Sequence, residues 1–110
     1  MNLKVDLVVA GKRPPAGTPV WVQLRDTSVA DAPAVVLAEK KTVVHPGNAS
    51  VVASVEFEFE ADAIPSHTTV WARVAASGDM QRTQPGDFVT MASYPVGQSG
   101  RPLSVELKKV

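Results

Sequence analysis

The chain has 110 residues, 45% hydrophobic and 20% charged, with 11 basic side chains balanced by 11 acidic ones and no cysteine. That length suits one domain, residues 1–110, whose core removes roughly 60–70% of the unfolded surface from water. Zero net charge disfavours nucleic-acid binding, which leans on counterion release by a basic stripe. The missing thiols exclude disulfides, thiolate metal sites and a cysteine nucleophile.

Leu3, Val5, Leu7 and Val9 alternate with Asn2, Lys4 and Asp6, which is the period of a half-buried strand. The same alternation runs through Met1 and so does not resemble a signal peptide, and no apolar run approaches the roughly 20 residues of a membrane-spanning helix. Gly11-Lys-Arg-Pro-Pro-Ala-Gly17 then reads as a loop, since adjacent prolines cannot donate to a ladder.

The next stretch, Pro19 to Val44, predicts strand, polar turn and strand. Val20, Val22 and Leu24 fall on one face; Trp21, Gln23 and Arg25 fall on the other. Asp26-Thr-Ser breaks the run with short polar side chains that bond nearby amides, and Pro33 closes the loop before Val35-Val-Leu. His45-Pro-Gly-Asn is a turn by composition.

Val51 to Glu60 has the clearest alternation, with Val51, Ala53, Val55, Phe57 and Phe59 on one side and Val52, Ser54, Glu56, Glu58 and Glu60 on the other. Unpaired carboxylates are too costly to bury, so the first set is core and the second faces water. Ala61-Asp-Ala-Ile-Pro-Ser-His67 is the one place for a short helical turn. Thr68 to Ala76 is a further strand, with Val70, Ala72 and Val74 opposite Thr69, Trp71 and Arg73. Ser77-Gly-Asp79 marks a tight turn and residues 80–87 a loop. Phe88 to Tyr94 is a strand stopped by Pro95, Gly97-Gln-Ser-Gly100 is loop, and Leu103, Val105 and Leu107 alternate in the last strand.

About seven strands with proline or glycine at nearly every boundary, and no long 3.6-residue period, predict an all-β fold. The specific expectation is a single antiparallel β-sandwich, immunoglobulin-like or transthyretin-like in outline. Lysines in the first and last strands suggest that these are the edges, where charge discourages pairing with another chain.

Leu24-Arg-Asp-Thr-Ser-Val-Ala-Asp-Ala-Pro-Ala-Val-Val-Leu-Ala-Glu39 resembles the signature of the YbaY-type lipoproteins and the YscW-type pilotins of type III secretion. Weaker agreement continues through Phe57-Glu-Phe, the proline-containing Ala63-Ile-Pro-Ser-His67 and Tyr94-Pro-Val, so that it spans roughly residues 3–107. The resemblance implies a small β-sandwich of the bacterial periplasm or outer membrane, tethered by a lipidated N-terminal cysteine. It implies a non-enzymatic binding or chaperone-like role with a protein or peptide partner, a secretin subunit in the pilotin members. The sequence itself carries neither the leader nor the lipidation cysteine, so membrane attachment is expected only through such an anchor.

Chemistry-bearing residues are few. Asp26 and Asp31 flank the signature turn, where each can accept backbone N–H bonds; the rival role is a carboxylate pair for metal or acid–base work. His45 and His67 read as surface histidines beside turns, since a zinc site would have to recruit Glu60 or Asp62 and no metal-ligand spacing is present. Gly97-Gln-Ser-Gly-Arg101 lacks the pattern of a nucleophile elbow. No catalytic residue, metal ligand or cofactor is therefore expected. The alternative is a small hydrolase or metal-dependent enzyme on a transthyretin-like sandwich, centred on Asp26 and Asp31 with a histidine or on Ser66-His67.

The residues singled out for binding are Trp21, Arg25, Trp71 and Arg73, all on the polar sides of their strands. If those strands are neighbours, rings and guanidiniums form an outward aromatic–cationic patch. It serves either as cross-strand pairs stabilising the sheet or as a partner surface, since tryptophan and arginine are enriched at binding hot spots.

Overall fold

The computed structural model describes residues 2–27, 34–47, 49–60, 67–92, 94–96 and 102–110. Seven strands form in chain order: β1 (Asn2–Val9), β2 (Pro19–Asp26), β3 (Val35–Val43), β4 (Val51–Glu58), β5 (Thr68–Val74), β6 (Phe88–Thr90) and β7 (Leu103–Lys109). They make one seven-stranded sheet in the order β3-β2-β5-β6-β7-β1-β4. The sheet curls until its two edges meet at one end, where His45 N–H donates to the Val52 carbonyl at 2.8 Å. The result is a barrel-like sandwich, all-β as the alternation predicts.

The core follows from period two. Leu3, Val5, Leu7 and Val9 of β1 are buried, as are Val20, Val22 and Leu24 of β2 and Val70, Ala72 and Val74 of β5. Phe57, Val105 and Leu107 close the interior from β4 and β7. Each such valine, leucine or phenylalanine contributes roughly 1.5–3 kcal/mol by leaving water, and the polar alternates keep the other face wet.

Four sequence expectations are corrected. β1 and β7 run parallel, Val5 opposite Leu103 through Val9 opposite Leu107, while the other strand pairs are antiparallel. Parallel pairing needs a long crossover, and here the whole intervening chain supplies it. These two strands are therefore interior neighbours rather than edges; β3 and β4 are the edges. Lys40 and Lys41 of β3 are the lysines that guard an edge.

In β4 the alternation slips. Val51 is exposed and Val52 fully buried, because the β1–β4 register shifts between Leu7 and Val8, leaving Val52 as an extra residue in a bulge. Finally, β6 ends at Thr90 rather than reaching Tyr94. The chain instead returns to β5 through a bridge between Thr69 and Pro95, with Val70 N–H donating to the Tyr94 carbonyl at 3.0 Å. Tyr94 then covers the gap left by the short β6. Its hydroxyl donates to the Glu106 carbonyl at 3.3 Å and accepts the Glu106 N–H at 3.2 Å, satisfying a stretch of β7 that has lost its neighbour. The turn of residues 28–33, the helical turn expected before His67 and the loop at 97–100 lie outside the described residues.

Candidate functional site

β2 and β5 are antiparallel neighbours, and their register decides which outward residues meet. Trp21 lies opposite Arg73, Gln23 opposite Trp71 and Arg25 opposite Thr69. The two tryptophans are thus diagonal, each with an arginine within reach. The Arg25 guanidinium carbon sits 4.1 Å from the Trp71 ring centre, and that of Arg73 is 5.8 Å from Trp21. Both distances fall inside the range of cation–π attraction.

Arg25 is held by a relay on the same face. Its Nε donates to Gln23 Oε1 at 2.7 Å, and Gln23 Nε2 donates to Glu39 Oε2 on β3 at 2.5 Å. Packing on Trp71 strips water from the guanidinium and lowers its pKa, although an arginine remains cationic at neutral pH. Among the described residues Arg25 has no carboxylate partner.

Arg73 is different. It is only 4% exposed, and Asp87 at the mouth of β6 is 0% exposed. Arg73 donates to Asp87 Oδ2 from Nε at 3.1 Å and from Nη2 at 2.8 Å. Its Nη2 also reaches the carbonyls of Asp79 and Arg82. Asp87 accepts the amides of Ser77 at 2.8 Å and Gln84 at 3.0 Å. Burial alone would raise the Asp87 carboxyl, but the amides of Ser77 and Gln84, the Ser77 hydroxyl and the Arg73 guanidinium outweigh it and hold it at about 2.

Asp79 organises the same loop from outside. It accepts the amides of Gln81 and Arg82 at 2.9 and 3.0 Å, which lower its pKa. Gly78 makes the entry turn possible, since its φ of +87° suits glycine, and its N–H closes on the Ala75 carbonyl at 3.1 Å. The loop from Ser77 to Asp87 is therefore clamped from beneath by Arg73, which faces inward to carbonyls and a carboxylate rather than to a partner.

Sequence reasoning missed Asp87 and two methionines. Met80, 52% exposed, sits on the clamped loop beside Trp21 and Trp71. Met91, 58% exposed, follows β6 and borders a second groove with Arg25, Thr69 and Trp71. A lone methionine in a loop carries no periodic signal, so nothing in the chain marks either one. Together they turn the tryptophan face into a trough with adaptable apolar rims.

The other candidates do not converge. His45 follows the end of β3 that pairs with Pro19, whereas His67 precedes the end of β5 that pairs with Asp26, so the histidines lie at opposite ends of the sheet. Asp26 ends β2 opposite Val35 and Thr68. Asp31, Asp62, Ser66 and Ser99 lie outside the described residues, and among those described no cluster of metal-ligating side chains forms.

No family model and no curated protein matches the chain. Among solved structures it is similar to an alternative pilotin from the type II secretion system of Vibrio cholerae, with a TM-score of 0.70 and 21% identity over 100% of this chain and 96% of that one. The fold of this chain is pilotin-like.

Proposed function

We infer that this protein is a non-enzymatic binding module of the bacterial cell envelope, of the YbaY-type lipoprotein and YscW-type pilotin kind, that holds a peptide segment of a protein partner. The observation that carries the reading is the β2–β5 outer face, where two tryptophans and an Arg25 with no carboxylate partner among the described residues lie between exposed Met80 and Met91. Tryptophan and arginine dominate binding hot spots, and methionine rims repack around differently shaped apolar side chains. A segment with apolar anchors and a nearby carboxylate matches this surface, the anchors against the rings and the carboxylate on Arg25. The pilotin-like fold supports a secretin subunit as that partner, and the placement belongs to the periplasm or outer membrane through an N-terminal lipid anchor.

The test is tryptophan-emission titration with overlapping peptides tiling a secretin subunit. We expect one segment to bind, Trp71→Ala to weaken it about thirtyfold and Arg25→Ala about tenfold. Binding that is unchanged in a Trp21→Ala, Trp71→Ala double variant, followed by calorimetry, would remove this face from the account.

A further inference from the structure

Among the described residues the edge of β3 away from β2 has no strand paired along it beyond the point where His45 meets Val52, and it borders the tryptophan face. The side on which its backbone groups lie follows from its ends. Val44 donates its N–H to the Thr18 carbonyl at 2.9 Å and accepts the Gly17 N–H at 2.8 Å, so its peptide groups face the β2 side. His45 points the other way, to Val52. Peptide groups of successive residues alternate sides along a strand. Val43, Lys41 and Glu39 therefore direct N–H and C=O outward from the sheet edge, while Thr42, Lys40 and Ala38 bond toward β2.

The side chains of those outward-bonding residues lie on the solvent face, because Lys41 is opposite Trp21 and Glu39 opposite Gln23. Leu37, at the bulge between Leu24 and Arg25, and Val43 flank them, 40% and 48% exposed. Read along the edge, the order is apolar, acid, base, apolar. That order is its own complement when a second copy is laid antiparallel beside it.

We propose that β3 pairs with β3 of a second copy of this chain, about a two-fold axis through Lys40. Glu39 then faces Lys41 of the other copy, Lys41 faces its Glu39, and Leu37 and Val43 face each other at both ends. The backbone fixes this register. A slip of one residue sets edge-facing groups against groups already bonded to β2, and a slip of two sets Glu39 against Glu39 or Lys41 against Lys41. Neither Lys40 nor Lys41 has a carboxylate partner among the described residues, and Glu39 uses only Oε2 on Gln23. One cost remains: Lys40 meets its own copy on the inner face. Two opposite-charge and two apolar cross-strand pairs outweigh that single like-charge contact, each being of similar size. The pairing is weak, and it closes at two because it consumes the same edge on both copies.

Sedimentation equilibrium of the full chain from micromolar to millimolar concentration tests this. A single monomer–dimer equilibrium is expected, weaker at high salt. Glu39→Lys and Lys41→Glu should each raise the dimer Kd at least about tenfold, and the two together should restore it to within about threefold. Lys40→Gln should lower it about threefold. Circular dichroism confirms that each variant keeps its strands. A chain that stays monomeric even as Lys40→Gln, a dimer indifferent to the single charge reversals, or growth beyond two copies overturns the proposal.

Discussion

Two arginine–tryptophan pairs sit on the same two strands, a few residues apart, and behave as different objects. Arg73 with Trp21 belongs to the framework: it lies under the 77–87 loop, bonded to Asp87 and to two carbonyls. Arg25 with Trp71 is half-exposed, and Arg25 donates to Gln23 with no carboxylate partner among the described residues. Nothing local distinguishes them. Among the described residues, the difference comes from a carboxylate delivered to one and not the other by the loop that follows β5. A guanidinium with a buried acid belongs to the framework; one stacked on a ring, with no acid among the described residues, is the one we propose for binding.

That contrast can be broken most forcefully at Asp87. Asp87→Ala leaves Arg73 buried without its partner and orphans the Ser77 and Gln84 amides, so unfolding by urea should show a loss of about 3–5 kcal/mol. A loss below about 1 kcal/mol would place Arg73 in the same class as Arg25.

Acid probes the same pair more gently. The Asp87 carboxyl titrates at about 2 in the folded chain against 3.8 for the ordinary group. A depressed folded value gives stability that is complete above the ordinary pKa and is lost as pH falls toward the folded one. About 2 kcal/mol should therefore disappear between roughly pH 4 and pH 2. In Asp87→Asn that part of the slope, followed by denaturant midpoints across the range, should be missing.

The smallest effect belongs to the open pair. Arg25→Ala removes one half-exposed stack and should cost the free protein about 0.5–1 kcal/mol by thermal unfolding. Its consequence for peptide binding should be larger than its consequence for folding, whereas Asp87→Ala should show the reverse order.

The inner faces of the long strands were legible because period two is a local property: Val20, Val22 and Leu24, or Val70, Ala72 and Val74, are buried as their spacing demands. The meeting of Trp21 and Trp71 was legible only conditionally, since it requires β2 to neighbour β5 with two strands intervening in sequence. Three features had no local mark. Asp87 is an acid after Pro85-Gly86, indistinguishable from a loop residue until its contact with Arg73 is seen. The exchange of Val51 and Val52 depends on a bulge, and a run of adjacent valines and alanine reads equally well in either phase. The edge lysines were misassigned because edge status is set by strand order, which β1 and β7 decide by pairing with each other.

That last pairing also dictates when the molecule can finish folding. One flank of β1 rests on β4, but the other is filled by residues 103–107. A nascent chain leaves one flank of β1 bare until residues 103–107 have been made. A product cut short before Leu103 would leave Val5, Leu7 and Val9 with a bare flank, a strand edge open to pairing with another chain.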